Sequence, residues 1–412
     1  MLSILKNRTY RHLFAAQLIA VMGTGLATIA LALLAYDLAG DRAGLVLGTA
    51  LTIKMLSYVT IAPIASALAE GLPRRAWLVS LDVIRAAVAL ALPFVDQIWQ
   101  IYVLIFLLQA SSAAFTPAFQ ASIPDVLPDE EDYTNALSLS RLAYDLESLL
   151  SPALAAALLT VMAFGTMFFG TALGFIASAL LVLSITLPSP KPTRRRGIYD
   201  RTTRGVRLYL KTPRLRGLLG LSMVASATGA MVIVNTVVLV RGELGLNENM
   251  VAWALASFGA GSMLAALTLP RVLSLASDRR IMSAGALISL AALALLAVQV
   301  QLAGLSLAGL LVAWLGIGIG YSTILTPSGR LLRRSAQAED RPAIFAAQFT
   351  LSHGCWLVTY PLSGWLLSQY GTGPALWGLT ALGLAGLLYA LRQWPAQEPS
   401  TDPGDPSAAS RN

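Results

Sequence analysis

Residues 281 to 300 read IMSAGALISLAALALLAVQV, twenty in succession without one charged side chain. A helix rises about 1.5 Å per residue, so this stretch crosses the ~30 Å hydrocarbon core of a bilayer with every backbone group bonded inside the segment. Similar apolar stretches lie on both sides of it, near 12–36, 44–69, 76–94, 98–122, 135–161, 163–187, 215–240, 249–273, 303–326, 343–368 and 373–394. Composition agrees: 56% of the 412 residues are apolar and 12% charged, against about 25% charged in soluble domains. The sequence therefore predicts an all-α polytopic membrane protein with twelve transmembrane helices and excludes a soluble multidomain chain.

Lysine and arginine orient the spans, because cytoplasmic loops retain them. Of the 29 such residues, 24 fall on one side of the predicted spans, Arg42 and Arg241 on the other, and Lys54, Arg85 and Arg141 within spans. Both termini are on the basic side and are expected in the cytoplasm. Lys6, Arg8 and Arg11 precede an apolar run too long for a signal peptide, so that run is read as the first helix. This asymmetry accounts for the net charge of +8 without a nucleic-acid partner.

Ten of the basic residues crowd between Lys191 and Arg216. The linker they occupy, 188–214, divides the chain into a six-helix half, 1–187, and a second, 215–394, followed by a Pro-, Ser- and Asp-containing tail, 395–412, expected to be disordered. In the linker Arg201, Arg204, Arg207 and Lys211 recur at helical spacing with Ile198, Val206, Tyr209 and Leu210 among them. That pattern fits a short helix on an anionic leaflet, or else a solvated connector. Two nearly equal halves point to duplication, and transporters built so bind substrate near the midplane between their halves. The loop after span two, with Glu70, Arg74 and Arg75, has a counterpart in Leu269-Pro270-Arg271 and Ser277-Asp278-Arg279-Arg280.

These features resemble the major facilitator superfamily. More narrowly, the chain is similar to bacterial exporters of the enterobactin-exporter, multidrug-efflux and nickel-resistance kind. The matching stretches are Asn7-Arg8-Thr9-Tyr10-Arg11, Leu81-Asp82-Val83-Ile84-Arg85-Ala86, Phe115-Thr116-Pro117-Ala118-Phe119 and Ile123-Pro124. The chain departs from the family's loop motif at Ser66, Glu70 and Gly71. It also departs from the span-five antiporter motif, with Ser151-Pro152-Ala153, and from the span-four arginine of many drug antiporters, where Gln109 is the nearest polar residue. The resemblance implies a secondary transporter of small molecules in a bacterial plasma membrane, moving its substrate outward. A monomer is expected.

A charge inside a bilayer costs at least a few kcal/mol, so it faces the bundle interior and marks a pathway. Lys54, Arg85, Asp145, Glu147 and His353 fall at similar depth along their spans. Arg141 with Asp145, and Asp82 with Arg85, are spaced to pair on one helix. Glu147 points about 200° away from Asp145 and has no basic residue three or four positions off. A carboxylate without a partner in low dielectric takes up a proton more readily than one in water. Glu147, with Asp145 and Lys54 beside it, is therefore expected to carry protons as the coupling ion; a permanent bridge to Lys54 is the alternative.

The expected substrate and proton cavity is Lys54, Asp145, Glu147, Arg141, His353 and Gln109. The expected gating residues are Glu70, Arg74, Arg75, Asp82, Arg85, Arg279 and Arg280, with Asp82 and Arg85 equally readable as a structural pair. Asp129, Glu130, Glu131 and Asp132 form an acidic group that could bridge to Arg279, Arg280, Arg330, Arg333 and Arg334 and close the inner mouth. His353, Cys355 and Met55 invite a nickel or cobalt reading. His353 and Cys355 diverge on a helix, however, so no metal site is assigned and metal export ranks below organic export. No phosphate loop or nucleophile elbow occurs, so no cofactor and no enzymatic activity are expected.

Overall fold

The computed structural model describes residues 2–39, 43–69, 72–188 and 198–394. The apolar runs fold as helices: α1 (Arg8–Ala39), α2 (Ala43–Ala69), α3 (Arg74–Ala91), α4 (Ile98–Val126), α5 (Glu130–Leu159), α6 (Phe164–Leu183), α7 (Ile198–Lys211), α8 (Pro213–Val237), α9 (Glu248–Leu275), α10 (Asp278–Ala303), α11 (Leu307–Leu325), α12 (Ser328–Arg334), α13 (Arg341–Tyr370) and α14 (Thr372–Gln393). No strand occurs among the described residues. Capping is local and chemical. Asp129 accepts from the backbone amides of Glu131 and Asp132 at the start of α5, and Asn247 and Ser306 cap α9 and α11 in the same way. Gly304 and Gly371, at φ 78° and 81°, end α10 and α13 in a conformation that side chains oppose.

Ten of the described segments are long and apolar enough to cross a membrane. The two long helices outside that group are α5 and α13, each of 30 residues. Their polarity comes from side chains such as Arg141, Asp145 and Glu147 in one and Gln348 and His353 in the other. Outward-facing apolar residues such as Leu173, Leu295 and Val312 are 65–70% exposed, a surface that lipid would cover. This is a multi-pass membrane protein.

The helices α1 to α6 pack mainly on one another, with α1 and α3 against α6 and α2 against α4. Later helices do likewise, α11 against α9 and α10, and α14 against α8. Glycine permits the closest of these approaches: a Cβ on Gly318 would come within 2.0 Å of the Phe258 carbonyl oxygen, so this glycine serves packing. The two groups meet along two seams, α2 with α13 and α5 with α9.

The linker helix α7 forms where its spacing predicts, but it docks on protein as well as presenting a basic face. Tyr209 is fully buried, and Arg204 pairs with Asp340 at the head of α13. Expectations for Glu70, for the basic run 191–197 and for the tail 395–412 fall outside the described residues.

Candidate functional site

Three helices bring charge to the central seams. On α5, Arg141 sits one turn before Asp145 and holds it with two bonds, Nη2 to Oδ1 at 2.5 Å and Nε to Oδ2 at 3.3 Å. Arg141 does not stop there. Its Nε also donates to Ser262 Oγ of α9 at 3.0 Å, and its guanidinium lies 4.8 Å from the Tyr321 ring of α11. The predicted pair is thus also a tie between the two helix groups, and its Arg–aromatic contact is of the kind that gains strength out of water. Sequence reasoning missed Ser262 and Tyr321, since nothing in a one-dimensional pattern marks a partner more than a hundred residues away.

Glu147 points elsewhere, as helical phase requires. Its Oε1 accepts from Ser151 Oγ at 3.3 Å, and the carboxylate lies against α1 at Gly25. A Cβ on Gly25 would come within 2.1 Å of Glu147 Oε1 and 2.2 Å of Ser151 Oγ. The glycine therefore makes the space that the carboxylate occupies.

From α2, Lys54 places its ammonium 5.7 Å from the Tyr58 ring. Among the described residues no ion pair forms at Lys54, but Glu147 and His353 both lie within reach of its charge. His353 of α13 bonds through Nδ1 to the Phe349 carbonyl at 2.7 Å, which fixes the ring, and it packs edge-on against Tyr58 at 4.8 Å. Tyr58 and Phe349 touch across the same seam at 5.0 Å. Lys54 is thus the charge that both Glu147 and His353 feel, from three helices and both groups, and among the described residues no direct bridge joins them. Beyond them Tyr321, Trp356 and Tyr360 continue as partly buried rings in contact.

At the bundle end that carries most of the arginines, two further networks cross between the groups. Asp125, at the end of α4, accepts from Arg74 of α3 through one oxygen and from Arg341 of α13 through the other. Glu130, in the first turn of α5, accepts from Arg330 at 2.6 Å and from Arg334, and both arginines also face Asp278 at the head of α10. The second network is the first with its signs exchanged. Arg74 and Asp278 both start a helix, Asp125 ends the next helix in one network while the Arg330/Arg334 pair follows the next helix in the other, and Arg341 and Glu130 come from the opposite group. Arg333 adds bonds to the carbonyls of Pro128 and Asp129.

The other predicted residues lie apart. Asp82 and Arg85 bond each other inside the first group, with Ser178 Oγ donating to Asp82 at 2.8 Å and the Phe115 and Phe175 rings 4.0 Å and 4.6 Å from the guanidinium. Every side chain they touch in this way belongs to α3, α4 or α6, the geometry of the structural alternative. Replacing Asp82 with asparagine leaves a buried guanidinium uncompensated, and a loss of about 3–5 kcal/mol is expected, read as a lowered unfolding midpoint in detergent. Among the described residues Arg75 and Arg279 donate to the backbone carbonyls of Ile185 and Leu391, each at 3.4 Å. Arg280 is exposed, and Gln109 lies partly buried on α4 outside the networks described. His353 and Cys355 diverge, with Cys355 toward Tyr209, and no group of three metal-ligating side chains forms among the described residues.

Helices long and apolar enough to cross a membrane, with charges held on the seams between two packing groups, define a polytopic membrane protein. The sequence profile of the Major Facilitator Superfamily matches the chain twice, over residues 13–237 and 218–411, and the chain belongs to that family. Among curated proteins it is 24% identical over 265 residues to the uncharacterized MFS-type transporter YfiS of Bacillus subtilis, covering 62% of each chain. It is 26% identical over 152 residues to macrolide efflux protein A of Enterococcus faecalis, covering 34% of this chain and 47% of that one. The aligned stretch is thus less than two thirds of the length of these relatives. Two solved structures share the fold over almost the whole chain. The human organic anion transporter MFSD10 superposes with a TM-score of 0.78 at 12% identity, covering 93% of this chain and 99% of that one. FucP, captured in an outward conformation, superposes with a TM-score of 0.69 at 15% identity, covering 94% and 98%.

Proposed function

We propose that this protein is a proton-coupled exporter of a small organic amphiphile, working by alternating access between two six-helix halves in a bacterial plasma membrane. The observation that carries the reading is the central group of Lys54, Glu147 and His353. Lys54 lies within range of the charges of Glu147 in its own half and His353 in the other, and among the described residues no direct bridge joins them, so a proton or a substrate can change their balance. In the proposed cycle Glu147 takes a proton from outside and releases it inside, while Lys54 and the Arg141–Asp145 pair hold the field in which it titrates. The rings of Tyr58, Tyr321, Trp356 and Tyr360 offer apolar and π surface to the body of the substrate. The twelve spans are the ten apolar segments together with α5 and α13, whose polar faces turn to the seams. Both termini, with the arginine-rich end, face the cytoplasm, where positive charge is retained.

Macrolide efflux proteins are among the relatives, so a macrolide is the first substrate to try. Purified protein in liposomes is expected to move it against its gradient when the lumen is acidic relative to the outside, with the arginine-rich end outward. Dissipating the proton gradient should remove accumulation. Accumulation that survives an uncoupler would reject proton coupling; absence of flux for macrolides, other drugs and siderophores alike would reject the export reading. Lys54→Met is expected to weaken substrate accumulation about tenfold or more while leaving the thermal midpoint within a few degrees, since no ion pair is broken.

A further inference from the structure

We infer that the linker helix α7 is a wedge that moves with the C-terminal helices and closes the α2–α13 seam, so that opening the arginine-rich end requires α7 to part from α2. The inference rests on the alternating-access reading above and adds a moving part to it.

The anchors of α7 lie on the C-terminal side. Arg204 donates from Nε and Nη2 to the two oxygens of Asp340, each at 2.8 Å, a forked bond that fixes direction as well as distance. The fully buried Tyr209 donates to Gln348 Oε1, and Gln348 Nε2 donates in turn to Ser222 Oγ of α8 at 3.3 Å. Between these two anchors Gly205 rests on the α13 backbone, where a Cβ would come within 2.2 Å of the Ala343 carbonyl oxygen. Only Thr212 separates α7 from α8, whereas residues 184–197 separate it from α6. On its other side α7 meets α2 across a narrow cleft, with Pro63 and Ser66 facing Thr202 and Val206.

A rigid helix that touches both walls of an opening seam can follow only one of them. The forked ion pair, the buried tyrosine relay, the backbone contact and the one-residue joint all bind α7 to the C-terminal wall. The α2 wall, which lines the cleft with Pro63 and Ser66, is the one that yields. In the closed arrangement α7 fills the angle between α2 and α13, and each opening exposes the Pro63/Ser66 face.

Two cysteine pairs test this in a Cys355→Ser background. Ser66→Cys with Thr202→Cys ties α7 to α2, and Arg204→Cys with Asp340→Cys ties it to α13, each closed with a short bifunctional methanethiosulfonate. The first tie is expected to lower liposomal export about tenfold or more, reversibly on reduction, and the second to leave at least about half of it. Export that survives the first tie, or is stopped by both, overturns the inference. If the untied proteins show no flux, the transport reading itself has failed, and spin labels still decide where α7 goes. Labels at Lys211→Cys and Ala76→Cys should move apart when Asp125→Asn loosens the arginine-rich end, while labels at Lys211→Cys and Arg392→Cys keep their distance. An unchanged first distance or an altered second one overturns the wedge.

Discussion

Gly25→Ala is expected to abolish gradient-driven export without unfolding the protein. The added methyl would stand 2.1 Å from Glu147 Oε1, 2.2 Å from Ser151 Oγ and 2.7 Å from Ser151 Cβ, so either the carboxylate leaves its place or α1 and α5 separate. The carboxylate and the Ser151 hydroxyl can swing aside, but Ser151 Cβ is held by its backbone, so α1 and α5 must also part by a fraction of an ångström. A displaced Glu147 loses Ser151 and the field of Lys54, and proton uptake is no longer tied to the seam. Accumulation should fall about a hundredfold, as for misplacement of any group that must sit within an ångström of its working position, while the thermal midpoint in detergent shifts by only a few degrees. Glu147→Gln should reproduce the loss of accumulation and keep downhill exchange of substrate, because it removes the titrating oxygen and leaves the cavity its shape. Uphill export by either variant at the parent rate would remove Glu147 from the coupling step.

Loosening the arginine-rich end should have the second largest effect. Asp125→Asn leaves both Arg74 and Arg341 without their shared carboxylate, and Glu130→Gln leaves Arg330 and Arg334 with Asp278 of their own group and without the carboxylate that crosses to the other. In the proposed cycle each network joins the two halves only while that end is shut, so each contributes to one access state and not to the other. A differential of about 2–3 kcal/mol per network shifts the balance roughly 30- to 150-fold toward the open end. Thiol labelling of a cysteine placed at Ser66 should rise accordingly in each variant, and more in the double variant. Because the two networks carry exchanged signs, the combination Asp125→Arg with Arg341→Asp should restore much of the labelling protection that Asp125→Arg alone destroys, with Arg74 left as the residual strain. Labelling unchanged by all these substitutions would show that the networks do not hold the end closed.

Much of this was legible in the sequence, and the reason differs from residue to residue. Runs such as 281–300 declare their helices because backbone groups in hydrocarbon have no other partners. The i,i+4 spacing of Arg141 and Asp145 and the i,i+3 spacing of Asp82 and Arg85 declare their pairs because one helix fixes both ends. Glu147 stands out by the same logic, as a carboxylate within a span that has no basic residue three or four positions away on its own helix. The acidic group after span four announced a bridge, and Glu130 makes it with Arg330 and Arg334; Arg279 and Arg280, spaced just as suggestively, do not.

What the sequence by itself determined is the set of helices, the local ion pairs and the presence of charge that no single helix could neutralise, since all three follow from rise, phase and the cost of burial. Only the tertiary structure decided which of those charges face each other. That choice depends on how two groups of helices dock: Ser262 and Tyr321 reach Arg141, Gly25 makes room for Glu147, Asp125 rather than Asp129 lies between Arg74 and Arg341, and α7 lands on α13. Contacts of this kind join residues 51 to 216 positions apart, and no periodicity in the chain records them.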